Sequence, residues 1–348
     1  MIGKLLFIFI SILLAASQAL AAQAGKVTKA SGTVLYRTVK AASYHPLHAG
    51  QHIDEGNWVK TGKDGWIELT LADNSRFTIA NNSELEIQSY LVSKTKKTGS
   101  FGLTQGKLRA SVMKIAGQQT DIKVKSGTAV AGVKGTEFLM LCQGPANIFF
   151  GNEGVVSVSG PPGSGVALPA GTMTQNTRGE KPTEAVKVEP NTPLAKAKDA
   201  FEASTGVLPP AEWEATDNLP NIVARWDISH GHYLADSGKN EAALQVFQIA
   251  LDLTTLADIR ADARLERGSV YGRLMNRPEE ALAEFLLVLE EYPKIPQKET
   301  ALFNVGETLM QMGKKDLAKM RLKQYLDEYP NGRYRSSVET LQKVLDRQ

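Results

Sequence analysis

Two periodicities divide the chain. Between Gly25 and Asn176 short runs alternate apolar and polar positions with a period of two. They include Ile67-Glu68-Leu69-Thr70-Leu71, with Trp66 as a phase break, then Arg76-Phe77-Thr78-Ile79 and Glu84-Leu85-Glu86-Ile87-Gln88. Later strand candidates, not chosen by alternation alone, are Lys107 to Val112, Asp121 to Val124, Asn147 to Phe150 and Gly154 to Val158. Successive side chains of a strand point to opposite faces, so this pattern predicts strands with one buried face. Asp64-Gly65, Asp73-Asn74 and Asn81-Asn82 supply turns. A strand about every ten residues, without a helical period, predicts an all-β roll, sandwich or β-helix-like stack.

From residue 222 to the end the period becomes helical, and three segments align with one another. Gly231, Gly238, Ala243, Phe247 and Ala250 take the same places as Ser269, Asn276, Ala281, Phe285 and Val288, and as Gly306, Gly313, Ala318, Leu322 and Tyr325. The logic is that of a repeated helical hairpin. A small residue in the first helix lets the second approach, and Gly or Asn ends the first helix in a left-handed cap. Ala packs back from the second helix, and Pro293 and Pro330 stop it in the later two repeats. Ser336 to Asp346 suits a terminal capping helix. Residues 177–221 are polar and Pro-punctuated, which predicts a linker holding one short helix over Leu194 to Ala203. The expected organisation is thus 25–176 β, 177–221 linker and 222–348 helical repeats.

Residues 1–22 read as a cleavable secretory signal: Lys4, then the apolar run Leu5 to Leu14, then small residues. Cleavage is expected after Ala19-Leu20-Ala21 or Ala22-Gln23-Ala24, leaving no transmembrane segment and a periplasmic protein. The lone Cys142 lies among apolar neighbours and is expected to be a buried thiol. Net charge is +3, which argues against a nucleic-acid partner. The β part carries roughly +6 and the remainder roughly −4.

Ordered short motifs in the β part resemble the FecR-type domain, a bacterial envelope module. They run from Leu47-x-x-Gly50-x-x-Ile53 and Gly56-x-x-Val59-x-Thr61-Gly62 through Ala72-Asp73-Asn74-Ser75 and Asn82-Ser83-x-Leu85 to Gly106-Lys107-Leu108. Gly132-Val133-Lys134-Gly135-Thr136-Glu137-Phe138 is the central signature, with Lys134 where the family has Arg and Asn74 where it has Gly. The resemblance implies a structural role for Gly132, Val133, Lys134, Gly135, Thr136 and Phe138. The helical part resembles tetratricopeptide (TPR) repeats, including the endings Glu291-Tyr292-Pro293 and Glu328-Tyr329-Pro330. That resemblance implies a concave face that holds a peptide or partner helix, lined by His232, Asp236, Glu266, Val270, Arg273, Glu307 and Gln311.

Other chemistry is thin. His45, His48 and His52 are interleaved with turn residues and read as a solvated loop, with no metal expected. Lys94-Thr95-Lys96-Lys97 reads as a solvated hairpin tip, and Trp58 and Trp66 as core or edge fillers rather than sugar platforms. No nucleophile elbow, phosphate loop or HExxH is present. The expectation is a non-catalytic, cofactor-free envelope interaction protein with protein partners in its helical groove. Peptidoglycan or other glycan binding through the β part is the alternative. Envelope signalling of the anti-sigma kind is disfavoured, because only Met1 to Lys4 precede the apolar run.

Overall fold

The computed structural model describes residues 23–161, 163 and 165–347, so the signal expected over 1–22 lies outside the described residues. Chain order gives β1 (Gln23–Ser31), β2 (Val34–Arg37), β3 (His45–Pro46), β4 (His52–Asp54), β5 (Trp58–Thr61), β6 (Trp66–Leu71), β7 (Arg76–Ile79), β8 (Glu84–Val92) and β9 (Lys96–Ser111). There follow β10 (Gln119–Lys125), β11 (Val130–Val133), β12 (Glu137–Gln143), β13 (Ala146–Glu153), β14 (Val155–Ser159), β15 (Gly165–Pro169), β16 (Thr172–Thr177) and β17 (Val186–Lys187).

They pair into two sheets that share one strand. The first has the order β4-β1-β6-β7-β9-β12-β13-β16-β17. The second has the order β3-β2-β5-β8-β9-β10-β11-β14-β15. β9 leaves the second sheet and enters the first at Gly106, whose φ is +95°. A Cβ there would lie 2.4 Å from the Ser83 Cα, so no other residue fits. The apolar residues of the alternating runs meet between the sheets, with Phe77 and Phe101 ring centroids 4.6 Å apart at the centre.

One polar cluster is sunk into this sandwich. The Asp73 carboxylate accepts hydrogen bonds from Lys97 Nζ (2.5 Å), Tyr90 Oη (2.5 Å) and both the amide and hydroxyl of Ser75 (2.9 and 2.6 Å). Burial opposes its ionisation, but the Lys97, Ser75 and Tyr90 bonds outweigh it and hold the carboxyl below its ordinary value. Lys97 is therefore no part of a solvated tip: it is fully buried, and its second bond goes to the Met113 carbonyl. The expected turn is present, with Asn74 at φ +65° in the place of the family glycine.

The helices are α1 (Pro193–Ser204), α2 (Glu214–Asp217), α3 (Leu219–Asp236), α4 (Asn240–Leu253), α5 (Ala257–Ser269), α6 (Pro278–Glu291), α7 (Gln297–Gln311), α8 (Lys315–Glu328) and α9 (Arg335–Arg347). A π-helical turn, Val270–Leu274, extends α5. The hairpins α3/α4, α5/α6 and α7/α8 are the three repeats, and α9 packs on α8. The left-handed caps are Gly238 (φ +75°), Asn276 (+53°) and Gly313 (+72°), as the spacing predicts.

The residue of close approach in the second repeat is Gly268, not Ser269. A Cβ on Gly268 would lie 2.3 Å from the Phe285 ring, just as one on Gly231 meets Phe247 and one on Gly306 meets Leu322, both at 2.5 Å. Counting back from the cap by the spacing of the other repeats lands one residue late, because the π turn holds an additional residue.

The segment expected as a linker is packed instead. Thr192 caps α1 by accepting from the Ala195 amide, Pro193 opens the helix, and Leu194, Ala197 and Phe201 are buried. These side chains join Val223, Ile249 and Ile259 of the repeats in covering the outer face of the first sheet, where Leu139, Leu141, Ile148, Phe150 and Met173 point. Phe201 meets Phe150 edge-on at 6.4 Å. Polar clamps surround this second core. Arg178 donates twice to Asp252 at 2.8 Å, and Lys107 and Asn81 donate to Asp217 at 2.8 and 3.0 Å.

Within the clamp the amide of Gln175 (β16) donates to Oδ1 of the fully buried Asp227 (α3). Asp227 Oδ2 and Gln175 Oε1 are left without partners. Burial pushes the Asp227 carboxyl well above its ordinary range, against the opposing pull of the Gln175 bond. A proton on Oδ2 would turn it into a donor, and Gln175 Oε1 is the acceptor left over in the same pair, so an acid–amide pair is the arrangement that would satisfy both.

Two predictions follow from this packing. The folded chain holds the Asp227 proton and the unfolded chain releases it near pH 4. The site's contribution to stability is therefore complete below about pH 4 and declines as the pH rises toward the folded-state value. Asp227→Asn keeps both hydrogen bonds without a proton. It should melt with the wild type at pH 4 and above it at pH 8, whereas parallel profiles would exclude the acid–amide pair. In the repeats, Gly268→Ala should cost about 1–3 kcal/mol in urea unfolding by overpacking against Phe285. Ser269→Ala should stay within about 0.5 kcal/mol.

Candidate functional site

The first helices of the three repeats, α3, α5 with its π turn, and α7, stand side by side, and polar pairs run from each to the next. His232 Nδ1 lies 3.3 Å from Glu266 Oε2, and its Nε2 lies 3.6 Å from Asp236 Oδ2. Arg273 Nη2 lies 3.6 Å from Glu307 Oε2. Arg273, Glu307 and Gln311 share a narrow cleft with Ser269, Asn304 and Thr308. Six of the seven residues expected on the concave face therefore fall into two neighbouring groups.

Val270 does not join them. It is buried, 3 % exposed, in a core cluster with Leu234, Ala243 and Phe247. The cause is again the π turn. Counting back from the Asn276 cap aligns Val270 with His232 and Glu307, but the additional residue makes Ser269 their counterpart and leaves Val270 turned inward.

Further residues belong to the same face. Arg225 Nη2 binds Asp258 Oδ2 at 2.7 Å, and Gln297 Nε2 donates to Asp262 Oδ1 at 2.9 Å, each bridging adjacent first helices. The Arg225 bond holds the Asp258 carboxyl below its ordinary value, whereas burial raises that of Asp262. Asp258, Asp262 and Glu266 recur at four-residue spacing and so line one side of α5. That spacing was legible in the sequence. With Asp236 and Glu307 it makes the face rich in acid, against the two cations Arg225 and Arg273.

The β-module signature is a sheet crossing. Gly132 and Val133 end β11 in the second sheet, and Phe138, fully buried, is the second residue of β12 in the first. Gly135 turns the chain at φ +81°, where a Cβ would lie 2.5 Å from Lys114. Thr136 is buried, and its carbonyl accepts from the Val112 amide at 3.0 Å. Lys134 alone of the signature is exposed. Of the two tryptophans, Trp66 is 1 % exposed, and the Arg37 guanidinium sits 4.6 Å over the Trp58 ring. Trp66 therefore offers no bare ring face, and one face of Trp58 is taken by Arg37. Cys142 is buried, which pushes its thiol up to about 11. Among the described residues no three His, Cys, Asp or Glu side chains converge as metal ligands, and no helix is long and apolar enough to cross a membrane.

Comparison with known proteins agrees with these two architectures. The family model for FecR protein matches residues 57–157, inside the sandwich, and that for the tetratricopeptide repeat matches residues 300–332, over α7 and α8. No curated protein matches the chain. Among solved structures, a candidate anti-sigma factor of Parabacteroides distasonis is 16 % identical over 42 % of this chain, with a TM-score of 0.33. The present chain spans only 64 % of that protein's length. The Yersinia enterocolitica type III secretion chaperone SycD, in complex with a peptide of the translocator YopD, is 20 % identical over 35 % of this chain and 91 % of its own, with a TM-score of 0.31. The first TPR of Spaghetti, bound to an HSP90 peptide, is 17 % identical over 36 % and 91 %, with a TM-score of 0.30. The β sandwich and the helical repeats thus each contain a segment that matches a family model, FecR protein in the first and the tetratricopeptide repeat in the second.

Proposed function

We propose that the protein is an exported envelope scaffold that holds a segment of a partner protein along the shared face of α3, α5 and α7. The observation that carries this reading is the row of exposed polar pairs crossing from each first helix to the next, His232–Glu266 and then Arg273–Glu307. Paired side chains at a solvent-facing surface cost little to separate, so an incoming chain can exchange them for its own groups. The excess of acid on this face favours a segment of basic character. The FecR domain serves as the fixed base of the groove, and its exposed β face is the secondary candidate for glycan contact.

Export rests on the sequence of the segment Met1 to Ala22, and β1 bears on where that segment would be cleaved. Ala24 is fully buried in β1, and Gln23 Nε2 bonds the His52 ring at 2.5 Å. Cleavage after Ala24 would remove both residues, whereas cleavage after Ala21 leaves the strand whole.

N-terminal sequencing of the protein recovered from the periplasm should therefore begin at Ala22. Recovery in the cytoplasm with Met1 intact would overturn export. A photoreactive residue at Arg273 should give a discrete protein adduct in living cells, with none from Lys96 on the β module. Adducts from Lys96 alone, above all to glycan, would move the function to the FecR domain.

A further inference from the structure

The strap between β16 and β17 crosses the first repeat and leaves a crevice of about 410 Å³ beneath it. Its walls are apolar: Pro182, Ala185 and Val186 on the strap face Leu234, Ala242 and Val246 on α3 and α4. Ligand sites favour such seams between modules, and this volume lies within their usual range. At its mouth Trp226, His230 and Tyr233 form a ring stack along α3. Trp226 and His230 lie 4.6 Å apart at 16°, and His230 and Tyr233 lie 6.3 Å apart at 21°. Burial and the neighbouring Lys239 hold the His230 imidazole below its ordinary value, so both disfavour a charge on the middle ring. The stack ends on Tyr233, which is 66 % exposed and lines the crevice.

The exposed Tyr233 ring continues an ordered stack, which fixes the direction its open face presents. The rim is cationic, with Lys181 and Lys239 against Glu184. Lys239 lies 3.6 Å from Glu184, whose side chain is 91 % exposed, so that pair is weak and easily exchanged. We propose that the crevice is a second peptide site, which takes an aromatic side chain flanked by acidic residues. The aromatic ring extends the stack on Tyr233, and the flanking carboxylates meet Lys181 and Lys239. The site is separate from the acid-rich groove, since His232 and Tyr233 are adjacent in sequence but serve different faces of α3.

The test is calorimetric titration of the folded protein with a pentapeptide carrying a central tryptophan between two pairs of glutamates. Saturable binding is expected. Replacing the tryptophan by alanine, or Tyr233→Ala in the protein, should weaken it about tenfold. Lys239→Glu should weaken it further and favour the same peptide with lysine flanks. Arg273→Glu in the groove should change nothing, which separates this site from the groove whatever becomes of that reading. Both crevice residues are exposed, and unchanged melting temperatures would show the variants folded. Absence of saturable binding at millimolar peptide, equal affinity of Tyr233→Ala, or preference of the wild type for lysine flanks would each overturn the proposal.

Discussion

A β-sheet with two apolar faces cannot stand alone in water, and the architecture follows from that constraint. Leu139, Leu141, Ile148, Phe150 and Met173 point away from the sandwich core, yet all are essentially inaccessible. Left wet, these five side chains would forfeit on the order of 10 kcal/mol of transfer free energy. α1 and the first repeat cover them, so one apolar layer serves two modules. The surrounding contacts, Arg178–Asp252, Lys107–Asp217 and Gln175–Asp227, fix the register of the cover more than they drive it. The repeats gain as well. A helical stack needs its ends closed, and here the sheet closes one end and α9 the other.

Much of this was legible in the residues. Period-two runs placed the strands, and Asn74, Asn276, Gly238 and Gly313 announced their left-handed turns. Two features were hidden for definable reasons. The π turn leaves no mark in a pattern of apolar positions, so a register counted back from Asn276 slipped by one and carried Val270 to the wrong face. The module interface did leave a mark. Phe138-Leu139-Met140-Leu141-Cys142 and Ile148-Phe149-Phe150 do not alternate, as befits strands buried on both sides. What the sequence could not supply was the identity of the covering element. Leu194, Ala197 and Phe201 are sparse in a polar stretch, and they gain meaning only when set against that sheet.

The first repeat carries two chemistries on one helix. α3 presents His232 and Asp236 toward the acid-rich groove, and Trp226, His230 and Tyr233 toward the strap. A third side of the same helix, through Val223 and Asp227, is sealed against the β module. Groove, crevice and seal are thus held in fixed relation by eighteen residues, Leu219–Asp236.

β9 has a further consequence for how the molecule comes into being. It lies in the middle of the domain's sequence and belongs to both sheets, bonded to β8 and β10 in one and to β7 and β12 in the other. The strands before it and those after it share no ladder of their own: in both sheets β9 alone joins the two halves. The final register of one half against the other is therefore set by a single strand, a pairing of high sequence separation that comes at a cost in loop-closure entropy.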